Sequence, residues 1–312
     1  MKAVRLHRKG GPDALVYEEA PKPTLLDQDA LVRVRAVAIT GTELSWGTTY
    51  VASDGTPRLP SIPGHEISGV VEALGARTGA LKTGAAVFGL TDFHRDGGEA
   101  EFVAVRARDL ALKPRSIDYV HAAAVTLSGL TAWQALFRHG RLSAGQRVLI
   151  HGAAGGVGSF AVQLAAWRGA HVIGTASAKH DRFLRELGAD EVIDYTATRF
   201  EDIVHDVDLV LDTVGGDTLD RSWEVLRRGG SLVTIAGAAD PKKAREFGVR
   251  SVFFIVEPNR EQLVEIGRMI DAGILQVVVE AVFPLEQARM AFEKSLQGHN
   301  RGKIVLRVQE SG

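Results

Sequence analysis

Four glycines crowd into residues 152–158, directly after the apolar run Val148-Leu149-Ile150 and before the helix-like segment SFAVQLAAW. A strand, a glycine-rich turn and a helix in this order are typical of a dinucleotide-binding unit. Unpaired N–H groups and the helix dipole at the start of such a helix favour a pyrophosphate. The spacing is G-x-x-G-x-x-G, because Ala153 stands where the stricter pattern has glycine. The prediction therefore depends on the flanking strand and helix.

The rest of the chain supports an α/β fold with two domains, as expected for 312 residues. From about residue 120, short apolar runs alternate with helix-period segments, which is the pattern of βαβ units and a parallel sheet. Residues 1–115 contain short β-like runs between turn residues and are predicted to be mostly β, and residues 302–308 again have a strand pattern. The predicted strands lie near 147–151, 171–175, 191–193, 208–212, 231–235 and 252–255, and the predicted helices near 156–168, 179–187, 217–228 and 260–272.

Charge and cysteine content exclude several classes of function. Lysine and arginine total 37 against 38 aspartates and glutamates, so binding to nucleic acid or to an anionic membrane is not expected, and the predicted ligand is a small molecule. No apolar stretch approaches the ~20 residues of a membrane span, and the first residues lack a secretory signal, so a cytoplasmic location is predicted. The absence of cysteine excludes disulfides, thiol nucleophiles and thiolate zinc sites.

The end of the second predicted strand of the parallel sheet favours NADPH over NADH. An NAD site usually carries an acidic residue about 20 residues after the glycine turn, where it holds the ribose hydroxyls. Here Gly174, Thr175 and Ser177 occupy that region, and Lys179 and Arg182 follow. A 2′-phosphate would be repelled by a carboxylate but bound by a hydroxyl and a cation. The alternative is that Lys179 and Arg182 are merely a solvated helix start.

Six stretches of the chain match one known family pattern. They are KGGP at 9–12, PGHEISGVV at 63–71, GLTAW at 129–133, the glycine turn at 152–158, LDTVGG at 211–216 and GKIVL at 302–306. Together they resemble zinc-free medium-chain dehydrogenases/reductases of the NADPH:quinone oxidoreductase group, related to zeta-crystallin. The resemblance implies a GroES-like, mostly-β catalytic domain at 1–118 and 258–312. It also implies a Rossmann domain with a doubly wound parallel sheet at 119–257, and a homodimer formed through the edge strand near 252–255.

The resemblance also implies which residues bind the cofactor. Around the phosphates these are Gly152, Gly155, Gly156 and Val157 for the pyrophosphate, and Gly174, Ser177, Lys179 and Tyr195 for the 2′-phosphate. Along the groove and the nicotinamide they are Thr131, Val214, Ala236, Gly237, Phe254, Ile255 and Val256. Arg301 and Lys303 are expected to reach the cofactor from the other domain, with solvated side chains as the alternative.

A metal is not expected. Zinc members of the superfamily have a cysteine before a G/H-T-D triplet, then G-H-E, then a cysteine or acidic ligand. The corresponding residues here are Thr40, the pair His65-Glu66, and about Leu127. A hydroxyl, an imidazole and a leucine do not make a tetrahedral zinc site, and the structural four-cysteine lobe is missing. His65 is either a polar residue of the active site or a buried histidine with satisfied hydrogen bonds.

Metal-free chemistry favours the reduction of quinones or of activated alkenes (enones). Hydride addition to such acceptors places charge on an oxygen that hydrogen-bond donors can stabilise, whereas alcohol oxidation needs a Lewis acid. The candidate catalytic donors are Thr40, Tyr50 and His65, with Trp46 as a stacking wall for a flat substrate. Tyr50 and Trp46 have purely structural alternatives. No G-x-S-x-G elbow supports hydrolysis.

Three other functions remain open. The first is a pathway-specific reductase of an enone, enoyl thioester or imine with the same fold. The second is a non-catalytic NADPH-binding or sensing protein, and a zinc alcohol dehydrogenase ranks last. Fold alone cannot rank these substrates.

Overall fold

The computed structural model describes residues 1–308, which form two compact units. The first unit contains Met1–Leu127, Glu257–Ala272 and the described residues from Val277, and the second contains Ser128–Val256 and Gly273–Gln276. Within residues 1–308 the strands are β1 (Lys2–Leu6), β2 (Leu15–Glu19), β3 (Asp29–Ile39), β4 (Glu66–Leu74), β5 (Ala86–Leu90), β6 (Phe102–Arg106), β7 (Leu110–Leu112), β8 (Arg147–His151), β9 (His171–Ala176), β10 (Glu191–Asp194), β11 (Val207–Asp212), β12 (Leu226–Thr234), β13 (Arg250–Phe253), β14 (Val279–Pro284) and β15 (Lys303–Arg307). The helices are α1 (Tyr119–Trp133), α2 (Gly156–Trp167), α3 (Asp181–Glu186), α4 (Gly216–Arg221), α5 (Pro241–Phe247), α6 (Arg260–Asp271) and α7 (Ala288–Leu296).

The second unit is built on a parallel sheet with the strand order β10-β9-β8-β11-β12-β13 in the described residues. Its strands are apolar runs because both faces are covered, and Leu149, Ile173, Val210 and Leu232 lie together in its core. The strand order reverses between β8 and β11. Ligands of such sheets bind at the carboxyl ends of the strands at this reversal. The predicted fold class, a doubly wound parallel sheet with a mostly-β partner domain, is confirmed.

One predicted helix of this unit is too long. The sequence predicts a helix near 217–228, but α4 ends at Arg221 and β12 begins at Leu226. Trp223, Val225 and Leu226 are buried in the core, and Leu226 pairs with Val207 of β11. Apolar residues at this spacing fit either a helix or an extended segment, so burial against the sheet decides the conformation.

The first unit contains a mostly antiparallel sheet with the order β14-β15-β3-β4-β5-β7 in the described residues, and β6 also pairs with β3. The long strand β3 is central because it pairs with three others. Ile39 at its end faces Ile304 of β15, and Ala38 faces Glu66 of β4. Thr40 follows Ile39, and Lys303 precedes Ile304. The register therefore places both Thr40 and Lys303 beside Glu66. In the part of the chain described here, no helix combines the length and hydrophobicity needed to cross a membrane.

Candidate active site

The glycine turn of the second unit is required by the protein's own packing. A Cβ at Gly158 would lie 2.2 Å from the Gly152 carbonyl oxygen, so the helix α2 can approach its strand only with glycine there. Gly152 has a φ of +67°, and a Cβ on it would lie 2.4 Å from the Thr213 hydroxyl. Glycine populates such a backbone conformation without the steric cost that other residues incur. The turn therefore folds tightly over the end of β8.

The helix α2 begins at Gly156, and its N-cap residue is Gly155, which has no side chain to cap the first N–H groups. The first N–H groups of a helix have no acceptor within the helix, and they carry the positive end of its dipole. A Cβ at Gly155 would meet only the Gly152 carbonyl oxygen, at 3.3 Å. The backbone of Gly155, Gly156 and Val157 thus fits a pyrophosphate.

The region predicted for the 2′-phosphate lies at the carboxyl ends of β9 and β10. These strands are neighbours, with Asp194 opposite Ala176, so Ser177 and Tyr195 follow at the same edge of the sheet. Within residues 1–308 the Ser177 hydroxyl is buried and has no hydrogen-bond partner. An unsatisfied buried hydroxyl costs about 1–3 kcal/mol, which a bound phosphate oxygen would offset. Lys179 is exposed on the short turn that follows.

Most of the other predicted groove residues follow β11, β12 or β13, at the carboxyl edge of the same sheet. Val214 is 54% exposed and Ile255 is 68% exposed, whereas Val256 is buried. Such exposed apolar side chains at a strand end are compatible with contact to a flat ring. The remaining members are Ala236, which is exposed, Gly237 and Phe254, which are half-buried, and Thr131, which is buried on α1.

Asp212, which is not among the predicted site residues, organises this edge. Its fully buried carboxylate accepts hydrogen bonds from the backbone N–H groups of Val214 at 3.0 Å and Gly215 at 3.0 Å, and from the Thr234 hydroxyl at 3.0 Å. The Thr234 hydroxyl in turn accepts from the Ala236 N–H at 3.2 Å. One carboxylate thus joins the turns after β11 and β12. An aspartate as the last residue of a buried strand was the available sequence signal.

We expect Asp212→Asn to weaken NADPH binding. An amide replaces one acceptor oxygen with a donor, so it cannot accept from all three groups. Losing part of this network should cost about 1.5–3 kcal/mol, or roughly 10- to 100-fold in the Kd for NADPH, measured by quenching of protein fluorescence. Thr213→Val is the matched control, because its hydroxyl bonds only the His151 carbonyl oxygen among the contacts described. An unchanged Kd for Asp212→Asn would contradict the assigned role.

In the first unit, Lys303 is buried and its ammonium has three acceptors. It donates to the Ile39 carbonyl oxygen at 2.8 Å, to Thr40 Oγ1 at 3.2 Å and to Glu66 Oε1 at 2.7 Å. The Thr40 hydroxyl donates to the same Glu66 oxygen at 2.9 Å. Burial raises the pKa of Glu66, while Lys303 and Thr40 act to lower it. The resemblance implies that Lys303 reaches the cofactor, but its three donors are used inside this unit.

His65 is also fully engaged in this unit. Its Nδ1 lies 2.6 Å from the Thr91 hydroxyl and its Nε2 lies 3.5 Å from Glu43 Oε1, with the Phe93 ring against its edge. Burial lowers the pKa of His65 to about 3, so its ring is neutral at physiological pH and a poor proton donor. Burial raises the pKa of Glu43 to about 8, although the Gly64 N–H bonds it at 2.7 Å. These contacts favour the buried, satisfied alternative for His65.

Tyr50 and Trp46 are tied into the loop that follows β3. The Tyr50 hydroxyl lies 2.5 Å from the Leu44 carbonyl oxygen and 3.4 Å from that of Gly10, and the side chain is buried. The Trp46 ring contacts Phe93 edge to face, with centroids 5.4 Å apart. The predicted contacts of Tyr50 and Trp46 with a substrate would therefore compete with the contacts that these side chains already make inside the fold. Arg301 is exposed, and its backbone N–H donates to Glu280.

The residues at the zinc position do not fit zinc. Thr40 and Glu66 are bound to the Lys303 ammonium, and the two nitrogens of His65 face Thr91 and Glu43. In the described ranges no three or more histidine, aspartate or glutamate side chains are arranged to hold a metal. A tetrahedral site needs four such ligands, or three and a water. A lysine cation therefore pairs with Glu66 and contacts Thr40, the residue at the first ligand position of the family pattern.

Comparisons with known proteins agree with this architecture. Residues 26–115 match the family "Alcohol dehydrogenase GroES-like domain", and residues 187–306 match the family "Zinc-binding dehydrogenase". The chain is 32% identical to the "Probable zinc-binding oxidoreductase, mitochondrial" of Arthroderma benhamiae, covering 92% of this chain and 91% of that protein. It is 32% identical to the "NADPH-dependent alkenal/one oxidoreductase, chloroplastic" of Arabidopsis thaliana, covering 98% of this chain and 79% of that protein.

A solved structure is similar over the whole length. The quinone oxidoreductase from Coxiella burnetii superposes with a TM-score of 0.93 at 30% identity and covers 99% of both chains. The likeness includes both the antiparallel sheet of the first unit and the parallel sheet of the second. The chain therefore belongs to the medium-chain dehydrogenase/reductase family, in which a GroES-like domain is combined with a Rossmann-type nucleotide-binding domain.

Proposed function

We propose that the protein is an NADPH-dependent oxidoreductase that reduces quinones or enones by hydride transfer without a metal. The observation that carries the cofactor assignment is the unpartnered, buried Ser177 hydroxyl beside the exposed Lys179, at the strand end where an NAD site has a carboxylate. Support for the substrate class comes from relatives named for quinone and alkenal/one reduction. The buried Lys303–Glu66 pair beside Thr40, the residue that replaces the first zinc ligand of the family pattern, supports chemistry without a metal.

NADPH, when bound, supplies the hydride. The amides at the start of α2 bind the pyrophosphate, and Ser177 with Lys179 holds the 2′-phosphate. The turns joined by Asp212 shape the sheet edge whose residues would hold the nicotinamide half. Holding the reacting carbon atoms ~3–3.5 Å apart is the main contribution of such a site to the rate.

On the substrate side, Thr40 is the candidate that stabilises charge. Hydride addition to a quinone or enone leaves negative charge on the acceptor oxygen, and a fixed hydroxyl donor stabilises that charge. The neutral His65 does not supply a proton, because burial holds the pKa of His65 at about 3. We infer that the proton that completes the reaction comes from solvent.

A side-by-side assay tests the proposed function. We expect NADPH oxidation with a quinone and with an enone, and at least about tenfold slower oxidation with a saturated aldehyde, whose charge is not delocalised. Preincubation with a zinc chelator should leave both rates unchanged. Tight NADPH binding without turnover of any acceptor would instead support a non-catalytic NADPH-binding protein. Loss of activity with the chelator, restored by zinc, would contradict the metal-free mechanism.

We infer that two copies pair through the edge strand β13. This strand lies at the edge of the parallel sheet; Phe253 at its end is 45% exposed, and Ile255, two residues beyond it, is 68% exposed. An apolar sheet edge left uncovered is prone to association, which a second copy would prevent. Sedimentation analysis measures the assembly directly, and a monomer at micromolar concentration would exclude it. A cytoplasmic location stays a prediction from the sequence, since the two named relatives are described as mitochondrial and chloroplastic.

A further inference from the structure

The buried Lys303–Glu66 pair lies directly behind the Thr40 hydroxyl. Lys303 is 7% exposed at its side chain and Glu66 1%, so both charges are removed from water. Isolated buried charges are costly, and a pair persists only where geometry and further hydrogen bonds compensate. Here the Ile39 carbonyl oxygen and Thr40 Oγ1 supply those further bonds to the ammonium. The Lys303 ammonium thus has all of its acceptors inside the protein, whereas of the two Glu66 oxygens only Oε1 is paired, because Oε2 is buried without a hydrogen-bond partner in the described residues.

The position of the network in the sheet makes it rigid. Thr40 follows the end of β3, Glu66 begins β4 and Lys303 begins β15, and these three strands are adjacent. Gly302 has a φ of +77°, and a Cβ there would lie 2.2 Å from the Val278 carbonyl oxygen. The turn that presents Lys303 is therefore set by backbone packing. Strand pairing on both sides holds the three polar groups in place.

We propose that Lys303 is a positioning residue that, with Glu66, orients and polarises the Thr40 hydroxyl for the acceptor oxygen of the substrate. An oxygen that accepts a hydrogen bond from an ammonium becomes a stronger donor through its own hydrogen. Glu66 Oε1 keeps the Lys303 contact at 2.7 Å when the Thr40 hydrogen turns away from it. The hydroxyl can therefore leave Glu66 without breaking the ion pair. This inference rests on the proposed reduction of quinones or enones.

The switch of the Thr40 hydrogen favours the transition state over the ground state. A neutral carbonyl oxygen competes poorly with the Glu66 carboxylate for the hydroxyl hydrogen, whereas an oxygen that is gaining charge competes well. An interaction that strengthens only as charge develops raises kcat and leaves KM largely unchanged. The hydroxyl keeps its hydrogen throughout, so no proton is transferred in this step. Lys303 acts through Thr40 and does not touch the substrate.

A double-mutant cycle between Thr40 and Lys303 tests the inference. We expect Lys303→Met to lower kcat by roughly tenfold or more, as loss of one oriented donor does, with KM and Kd for NADPH within about twofold of wild type. In a Thr40→Val background the same change should lower kcat by less than about twofold, because Lys303 acts through the missing hydroxyl. Thr40→Ser, which keeps the hydroxyl, should restore the dependence on Lys303.

A charge-neutral variant covers the case in which Lys303→Met does not fold. Lys303→Met combined with Glu66→Gln removes both charges and leaves no unpaired ion, so it should fold, as checked by circular dichroism and thermal unfolding. It should lose about as much kcat as Thr40→Val. Wild-type kcat in this variant, or equal effects of Lys303→Met with and without the Thr40 hydroxyl, would overturn the inference. A large rise in the Kd for NADPH would instead assign Lys303 to the cofactor. If the wild type reduced no quinone or enone, the proposed reaction itself would be refuted, and the positioning role with it.

Discussion

Replacing Ser177 with aspartate is expected to lower kcat/KM for NADPH by roughly 1000-fold and to leave kcat/KM for NADH within about threefold of wild type. The Ser177 hydroxyl is buried and unpartnered in the described residues, at the end of β9. A carboxylate there would face the dianionic 2′-phosphate, and like charges brought together in this way cost several kcal/mol. NADH has a ribose hydroxyl instead, which a carboxylate binds well.

Lys179→Ala is a second test of the 2′-phosphate site, and Arg182→Ala is its matched control. Lys179 is exposed beside Ser177, whereas Arg182 pairs with Glu186 at 2.7 Å on the outside of α3. Lys179→Ala should raise KM for NADPH by roughly tenfold and leave KM for NADH unchanged, because only the phosphate pairs with the ammonium. Arg182→Ala should change neither. Equal KM values of Lys179→Ala and wild type for both cofactors would show that the phosphate lies elsewhere.

Replacing Glu99 with glutamine is expected to raise the apparent Tm at pH 9 by roughly 5 °C and to leave it nearly unchanged at pH 5. Glu99 is fully buried, both of its carboxylate oxygens lack a hydrogen-bond partner within residues 1–308, and a Cβ on Gly64 would lie 2.6 Å from its Cγ. Burial, with the neighbouring Glu43, raises the pKa of Glu99 well above its ordinary value. Glutamine keeps the shape and never ionises.

The direction of the pH effect follows from where the proton is held. In the unfolded chain the Glu99 carboxyl ionises near pH 4.5, whereas in the fold it stays protonated to higher pH. The folded state thus binds more protons than the unfolded state above pH 4.5, and stability falls as pH rises until the folded pKa is passed. Glu43, with a pKa raised to about 8, contributes in the same direction. Glu99 and Glu43 each make the fold less stable as the pH rises, and Glu99→Gln removes the contribution of Glu99.

Glu72→Gln is the control for this prediction, since Glu72 lies on β4 and its half-exposed side chain pairs with Arg33 at 3.0 Å. Loss of the Glu72 charge should change Tm by little at either pH, as is usual for an exposed ion pair. Thermal unfolding of the three proteins between pH 5 and 9 measures the effect. Parallel Tm curves for wild type and Glu99→Gln would mean that Glu99 ionises normally in the fold.

Local signals in the sequence were sufficient for the nucleotide-binding half of the molecule. The strand near 147–151 and the helix near 156–168 are observed as Arg147–His151 and Gly156–Trp167. A strand, a glycine turn and a helix are consecutive, so their periodicity and glycine spacing are readable without knowledge of distant residues. In the segment 217–228, local patterns in the sequence did not predict the structure correctly. Its apolar spacing suited a helix, but burial of Trp223 beside β11 and β12 decided otherwise.

The sequence by itself determined the parallel α/β sheet, the glycine turn, the absence of cysteine ligands and the lack of an acidic residue at the ribose position. Only the tertiary structure decided the partners of the charged groups. Lys303 and Glu66 are 237 residues apart in the chain and meet because β15 and β4 both pair with β3. The isolation of Glu99 and the hydrogen bond from Thr234 to Asp212 likewise depend on elements that are not neighbours in sequence. Periodicity and composition report which face of an element is apolar, but the energy of a buried charge depends on which groups surround it in three dimensions.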